Sequence, residues 1–210
     1  MNIKVCGITQ LKQLQQLEGL DIDFAGLIFV KDSPRYAADK IAARDLKHAD
    51  LDMKKVGVFV NEEYDDIMKV VEAYGLDIVQ LHGDESPDLC EDLSAELEVI
   101  KTFRIPASQK EGVDEIIADY DTVCDYYLFD TASEDAFGGT GKQFDWKAVS
   151  TSKIEKPFFL SGGIGVEDAA KLKAFKHPDF YAVDVNSRFE KEPGIKDMGL
   201  LLQFKQALKK

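Results

Sequence analysis

The amino-acid sequence predicts an α/β protein, a single-domain (β/α)8 TIM barrel that occupies residues 1–210. Eight short runs of β-branched and aromatic residues recur along the chain, and patterns typical of helices lie between most of them. With 210 residues, each strand–helix unit has about 26 residues, whereas an open doubly wound sheet usually needs only about five or six strands. No linker or shift in composition divides the chain, so we expect one domain.

The candidate strands are short and strongly apolar. Several are continuous hydrophobic runs rather than alternating ones, which is typical of a parallel sheet with both faces covered. In chain order they are Ile3–Val5, Phe24–Val30, Val56–Val60, Ile78–Leu81, Val99–Ile105, Tyr126–Phe129, Phe158–Leu160 and Tyr181–Val185.

Helical patterns separate these strands. The clearest begins at Asn61, which is placed to cap a helix, and keeps an apolar stripe every three or four residues until Gly75. Ser86-Pro87 provides a cap and a first-turn proline for the next helix. The segment 113–120 predicts only a single turn or a loop, and the last helix is expected to begin near Lys196-Asp197.

Charge and cysteine content limit the classes of partner. The formal net charge of −13 argues against a surface for nucleic acid or anionic lipid, so we expect a small-molecule ligand held by local features. The three cysteines include no close CxxC pair, and a disulfide framework or zinc knuckle is not expected. No signal peptide or run of ~20 apolar residues is recognisable, which favours a cytoplasmic protein. We expect a monomer rather than a homodimer.

A barrel places its chemistry at the carboxyl ends of its strands. Polar groups gather at this rim in the predicted fold, so a site is expected there. The segments concerned are Cys6, Ser33–Arg35, Asn61, His82–Asp84, Arg104, Asp130, Ser161–Gly163 and Asp184–Ser187.

The loops after strands seven and eight predict a phosphate site. Ser161–Gly165 is rich in glycine, whose backbone N–H groups can approach an anion at the start of a helix. Asn186, Ser187 and Arg188 follow strand eight and could open a short extra helix. Barrels often build a phosphate site from these two loops, and the alternative is a tight strand-to-helix turn.

Cys6 and Asp130 are the candidate catalytic residues. Cys6 ends the first strand and precedes Gly7, which places a thiol at the lip of a turn; the more common role of such a cysteine is to fill a core. Asp130 ends an apolar run, where apolar surroundings would raise its pKa and suit a general acid. The alternative is a solvated aspartate that caps the following segment.

Further features of the rim have open roles. Arg35 carries a planar fork suited to a carboxylate, although a surface ion pair is the usual alternative. His82 could be a ligand, a base or a structural histidine, and with three histidines in the chain a multi-histidine metal centre is not expected. The segment Gly138–Lys142 could be a mobile loop over the site or a plain surface loop. Cys90 and Cys124 are interpreted as packing residues.

Nine motifs spread over the whole chain resemble, in order, those of the phosphoribosylanthranilate isomerases, a family of the tryptophan pathway. They are Lys4–Thr9, Gly26–Phe29 with Ser33–Tyr36, Val56–Asn61, Val79–Glu85, Phe129–Asp130, Gly138–Gly141, Leu160–Ile164, Asp184–Ser187 and Pro193–Asp197.

The resemblance implies an Amadori rearrangement of N-(5-phosphoribosyl)anthranilate to 1-(2-carboxyphenylamino)-1-deoxyribulose 5-phosphate, without a cofactor or a metal. It implies Asp130 as the general acid that opens the ribose ring and Cys6 as the general base that removes the C2 proton. By the same resemblance Arg35 would hold the anthranilate carboxylate. His82 would lie in the substrate site, with no assigned role.

The resemblance also implies phosphate contacts by Gly162, Gly163, Asn186, Ser187 and Arg188. Many members of the family carry glycine at the position of Arg188, and a side chain restricts the positive-φ conformations that glycine permits. Two alternatives follow for Arg188: the backbone N–H or the guanidinium contacts the phosphate.

Two rival functions stay open. A metal-dependent pentose-phosphate epimerase would share the phosphate site, but it would require several metal ligands at the rim, where His82 and scattered carboxylates are available. A phosphate-binding barrel without catalytic activity is the other rival, and the presence of both Cys6 and Asp130 argues against it.

Overall fold

The computed structural model describes residues 1–109, 111–132 and 143–209, in which eight parallel strands form a closed barrel. The strands are β1 (Asn2–Val5), β2 (Phe24–Ile28), β3 (Lys54–Phe59), β4 (Ile78–Leu81), β5 (Glu98–Ile105), β6 (Tyr126–Thr131), β7 (Phe158–Leu160) and β8 (Phe180–Val185). The helices are α1 (Leu11–Glu18), α2 (Ala43–Lys47), α3 (Tyr64–Tyr74), α4 (Pro87–Ser94), α5 (Asp114–Ile117), α6 (Lys147–Ser150), α7 (Ala169–Ala174) and α8 (Met198–Lys209).

The order of the strands confirms the predicted (β/α)8 barrel. Each strand pairs with the next along the chain, and β1 closes the barrel by pairing with β8, with Lys4 opposite Asp184. A small antiparallel hairpin, β9 (Glu190–Glu192) and β10 (Ile195–Lys196), lies between β8 and α8. No helix within the described ranges is long and apolar enough to cross a lipid bilayer.

All eight predicted strands are present, and the differences lie at their ends. β3 begins at Lys54, two residues before the predicted start, because its backbone already pairs with Phe24 although the lysine side chain is exposed. β2 ends at Ile28, and β6 continues to Thr131. Hydrophobic patterns report side-chain burial, so they do not locate the last paired backbone groups.

The sequence predicts the cap of α4 correctly but the cap of α3 incorrectly. Ser86 caps α4, since its Oγ accepts the N–H of Leu89 at 3.3 Å. Helix α3 begins at Tyr64, so the predicted cap at Asn61 is wrong. Asn61 has a φ of +52°, and its Oδ1 accepts the N–H of Asp84 at 2.7 Å. Its side chain therefore joins the loops after β3 and β4.

The weakest and the last predicted helices also match. The segment after β5 forms the single turn α5, followed by a 3₁₀ turn at Ala118–Tyr120. Helix α8 begins one residue after Asp197, whose Oδ1 accepts the N–H of Gly199 at 2.9 Å.

The barrel interior is apolar below and polar above. Alternate residues of a strand face the same side, and four polar residues of the upper ring, Gln80, Thr102, Asp130 and Asp184, each lie two positions beyond an apolar residue of the floor. The floor consists of Phe24, Val56, Ile78, Ile100, Leu128, Phe159 and Ala182. The buried polar ring above it includes Lys4, Gln80, Thr102, Asp130 and Asp184. A second, larger apolar core lies between the barrel and the helices.

Two glycines that end helices provide a matched stability test. Gly75 follows α3 with a φ of +61°, and an added Cβ would lie 3.1 Å from the Cγ of Lys47. Gly19 follows α1 with a φ of −63°, and its nearest neighbour would be 3.6 Å away. We expect Gly75→Ala to lower the free energy of unfolding by about 1–2 kcal/mol, since L-residues avoid the left-handed region.

Gly19→Ala is the control. It should leave the stability unchanged or raise it by roughly 0.4–1 kcal/mol, because alanine restricts only the unfolded chain there. Urea unfolding with a common m-value measures both changes. Equal effects of the two substitutions would contradict the explanation from backbone conformation.

Candidate active site

A cavity opens at the carboxyl ends of the strands, and all nine residues named from the sequence line it. Its apolar wall is formed by Ile28, Val30, Val58, Val60 and Ile164. The nine residues are Cys6, Arg35, His82, Asp130, Gly162, Gly163, Asn186, Ser187 and Arg188. The barrel therefore brings together side chains that are distant in sequence.

Cys6 stands directly after β1, where its N–H donates to the carbonyl of Val185 at 2.9 Å. Its side chain packs over Gly26, where an added Cβ would lie 2.8 Å from the sulfur. Burial raises the pKa of the Cys6 thiol, while the positive charges of Lys4 and Lys196 oppose this shift. The thiolate is thus harder to form than that of an exposed cysteine, and it is a stronger base once formed.

A buried ion pair lies directly beneath Cys6. The Nζ of Lys4 is 3.0 Å from Oδ2 of Asp184, and both side chains are shielded from water. Burial alone would lower the pKa of Lys4, but attraction to Asp184 and to Cys6 outweighs burial and raises it. Lys4 therefore keeps its positive charge, and this charge attracts the thiolate form of Cys6.

The carboxylate of Asp130 lies next to the ring of His82 in the cavity. Its Oδ1 accepts the N–H of Thr131 at 2.8 Å, and its Oδ2 lies 3.3 Å from Nε2 of His82. This second contact is close but not aligned as a hydrogen bond. The other ring nitrogen of His82, Nδ1, is 2.9 Å from Nε2 of Gln80, which also donates to Thr102 at 3.1 Å. The amide of Gln80 thus holds the ring of His82 by its Nδ1 edge and leaves Nε2 turned toward Asp130.

Arg35 is held by a carboxylate that the sequence analysis did not single out. Its Nε and one terminal nitrogen donate to both oxygens of Glu190, at 2.9 and 2.6 Å. Arg35 therefore forms an ion pair, as the alternative prediction stated. The pair lies at the cavity rather than on the open surface.

The glycine-rich loop after β7 has the backbone that the sequence predicts. Gly162 and Gly163 have φ values of +92° and +62°, a region that favours glycine. Gly162 also lies against β6, since an added Cβ would be 2.3 Å from Oγ1 of Thr131 and 3.0 Å from Oδ1 of Asp130. The loop can pack this closely against β6 only because position 162 carries no side chain.

The predicted short helix after β8 is a 3₁₀ turn, Ser187–Phe189. Arg188 lies within it and is not among the described residues with positive φ, so its side chain causes no backbone strain. The guanidinium donates to the carbonyl of Gly163 at 3.3 Å and pairs with Glu167. It therefore bridges the two loops of the proposed phosphate site.

The other sequence predictions concern Cys90, Cys124, the segment Gly138–Lys142 and a metal site. Cys90 and Cys124 are buried packing residues, and burial raises their pKa values to about 11 and about 12. The segment Gly138–Lys142 lies outside the described residues. In the described ranges no group of three His, Cys, Asp or Glu side chains is arranged to hold a metal ion.

Sequence reasoning missed Lys4, Gln80, Glu190 and Lys196 as parts of the site, and it placed Asp184 at the rim without giving it a role. A signal existed for the first two. Lys4 lies two residues before Cys6, and Gln80 lies two residues before His82, so each shares a strand face with a candidate residue. A lysine inside an apolar strand requires a buried carboxylate partner, which points to an acidic residue on a neighbouring strand.

Comparison with known proteins agrees with this architecture. A family model described as N-(5'-phosphoribosyl)anthranilate isomerase matches residues 3–207. A relative of that name from Parabacteroides distasonis is 40% identical over 210 residues, which cover 99% of this chain and 93% of the relative.

Solved structures give the same result. Phosphoribosyl anthranilate isomerase from Thermotoga maritima matches with a TM-score of 0.86 and 31% identity, over 100% of this chain and 98% of that one. An isomerase in complex with reduced 1-(o-carboxyphenylamino)-1-deoxyribulose 5-phosphate matches with a TM-score of 0.79 and 29% identity, over the same shares. The Thermotoga enzyme is described as dimeric, and a monomeric state of the present chain stays a prediction. From the matches over its full length, the chain belongs to the N-(5'-phosphoribosyl)anthranilate isomerase family.

Proposed function

We propose that the chain catalyses the Amadori rearrangement of N-(5-phosphoribosyl)anthranilate to 1-(2-carboxyphenylamino)-1-deoxyribulose 5-phosphate, a step of tryptophan biosynthesis. Membership of the family supports this substrate. One observation carries the chemistry: Cys6 and Asp130, from β1 and β6, line the same cavity as the glycine-rich loop. A base and an acid can thus reach one bound sugar phosphate.

The first step is opening of the ribose ring. Asp130 gives a proton to the ring oxygen, the bond between that oxygen and C1 breaks, and the nitrogen lone pair forms an iminium ion at C1. Because Oδ1 of Asp130 is occupied by the N–H of Thr131, we place the transferred proton on Oδ2, which faces His82. The N–H of Thr131 holds the carboxylate, and His82 lies beside the oxygen that carries the proton, within the substrate site.

The second step is removal of the C2 proton. The positive iminium makes this proton more acidic, and the thiolate of Cys6 takes it, which gives an enolamine that tautomerises to the ketone. Lys4 stabilises the thiolate, because its ammonium lies beside the sulfur in a site with little water. Before the next turnover, the thiol of Cys6 releases one proton to its surroundings and the carboxylate of Asp130 takes one up.

Two anionic ends of the substrate set its position. The phosphate would bind to backbone N–H groups of Gly162 and Gly163, with Asn186, Ser187 and Arg188 beside them. The anthranilate carboxylate would bind to Arg35. Fixing both ends places C1 and C2 between acid and base, which is the source of an orientation advantage.

Substitution of the acid and the base tests this mechanism. We expect Cys6→Ser and Asp130→Asn each to lower kcat/KM by about 10²–10⁴-fold, the usual contribution of a positioned proton-transfer group. Loss of substrate fluorescence in the presence of a chelator measures turnover. Cys90→Ala, which removes a buried thiol away from the cavity, is the control. Wild-type protein without turnover, or variants as active as the wild type, would overturn the proposal.

The ionisation of Cys6 gives a test by alkylation. Iodoacetamide reacts with the thiolate, and the pKa of Cys6 lies above its ordinary value, so the rate should still be rising between pH 8 and pH 10. Lys4→Met removes a charge that opposes the shift, so it should slow alkylation at pH 9. Mass spectrometry identifies the modified residue, and Cys6→Ser is the control. A rate that levels off below pH 8 would show that Cys6 ionises more readily than proposed.

Arg188 distinguishes the two modes of phosphate binding. If its guanidinium contacts the phosphate, Arg188→Ala should raise KM several-fold and leave kcat nearly unchanged, because uniform binding is lost. Glu167→Gln, which removes the carboxylate that holds the guanidinium, should leave KM unchanged or lower it. An unchanged KM in Arg188→Ala would assign the phosphate to other groups of the two loops.

A further inference from the structure

The carboxylate of Glu190 joins two segments of the chain near the mouth of the barrel. Arg35 comes from the loop after β2, while Lys196 and the N–H of Gly194 belong to the β9–β10 hairpin after β8. Glu190 Oε1 accepts from Lys196 at 2.7 Å, from Gly194 at 3.0 Å and from Nε of Arg35 at 2.9 Å. Oε2 accepts from a terminal nitrogen of Arg35 at 2.6 Å.

This carboxylate is ionised and nearly inaccessible to solvent. Its side chain is 4% exposed. Burial alone would raise the pKa of Glu190, but hydrogen bonds and attraction from Arg35 and Lys196 outweigh burial and lower it. A carboxylate with so many donors has a fixed orientation, so it can fix the orientation of the groups that donate to it.

The pair with Glu190 determines which edge of Arg35 is available. A guanidinium is planar and carries five N–H groups in a rigid fork. Glu190 occupies the edge formed by Nε and Nη2, and in the described ranges no acceptor lies on the other terminal nitrogen, Nη1. Arg35 lines the cavity, so the unoccupied edge can serve a ligand there.

Gly7 makes room for this arrangement. It has a φ of +77°, and an added Cβ would lie 2.6 Å from Cδ of Arg35 and 2.8 Å from Oδ1 of Asn186. Asn186 is itself held, since its Oδ1 accepts from Lys196 at 2.7 Å. The arginine thus crosses the backbone immediately after Cys6, and its position is fixed relative to the thiol.

We propose that Glu190 is the positioning residue that aims the unoccupied edge of Arg35 at the carboxylate of the substrate, and so gives the site its preference for a carboxylated aryl amine. This inference rests on the proposed function, in which Arg35 binds that carboxylate. Charge alone predicts the opposite effect of Glu190. A nearby negative charge repels an anionic substrate, so its removal would tighten binding if orientation did not matter.

Binding of two matched ligands separates these effects without turnover. The first ligand is reduced 1-(o-carboxyphenylamino)-1-deoxyribulose 5-phosphate, and the second is the same compound without the carboxylate. In Glu190→Gln we expect the Kd of the carboxylated ligand, measured by calorimetry, to rise at least tenfold. The Kd of the second ligand should stay within twofold of wild type. In an Arg35→Met background, Glu190→Gln should no longer weaken binding of the carboxylated ligand.

Two further variants complete the design. Glu190→Asp keeps the charge but withdraws the carboxylate from Arg35, so it should show the same selective loss, and it replaces Glu190→Gln if the latter does not fold. Glu192→Gln, an exposed position of the same hairpin, should bind both ligands as the wild type does. Circular dichroism verifies the fold of each variant.

Three results would overturn the proposal. Equal weakening of both ligands would show that Glu190 only supports the hairpin. Unchanged or tighter binding of the carboxylated ligand in Glu190→Gln would show that orientation of Arg35 is not limiting. Wild-type protein that binds neither ligand would remove the proposed function as well, whereas the first two results leave that function intact.

Discussion

The barrel closes where β1 meets β8, and at this seam Lys4 and Asp184 form an ion pair shielded from water. Either charge buried alone would be strongly unfavourable, so the two strands must meet in the register that places one opposite the other. A slip of β1 by one residue would turn Lys4 toward the apolar layer under the helices and leave Asp184 buried without its partner. Because Cys6 lies two residues beyond Lys4, the same register sets the height of the thiol at the rim.

Below this pair the barrel is filled by apolar side chains, and above it the polar groups are arranged as networks. Gln80 links Thr102 to His82, and His82 faces Asp130. Such chains gain strength where water is excluded, and they hold ring and carboxylate orientations that single contacts would leave variable. The apolar floor and the polar ring arise from the same alternation of side chains along the strands. The layer that stabilises the barrel therefore lies directly below the layer that forms the candidate site.

The sequence alone was sufficient to predict the eight strands, their parallel order and nine of the residues that line the cavity. These predictions rest on local signals: apolar runs, glycine-rich turns and polar residues that follow a strand. The individual bonding partners of those residues could not be identified from the sequence, because they depend on contacts across the barrel. Glu190 is 155 residues from Arg35, and Asp184 is 180 residues from Lys4. Asn61 failed for the same reason, since its side chain bonds to the loop after the next strand rather than to the nearby helix.

The hairpin after β8 reaches back to the beginning of the chain. The carbonyl of Gly194 accepts hydrogen bonds from Thr9 and Gln13, at separations of 185 and 181 residues. During translation, β1 therefore leaves the ribosome long before β8 and the hairpin, and until they arrive it remains an open sheet edge. A nascent chain that ends before β8 holds Cys6 and Arg35 but lacks Glu190, so it cannot form the pair between Arg35 and Glu190. A ligand that binds only the closed barrel would stabilise the completed protein and not its growing precursor.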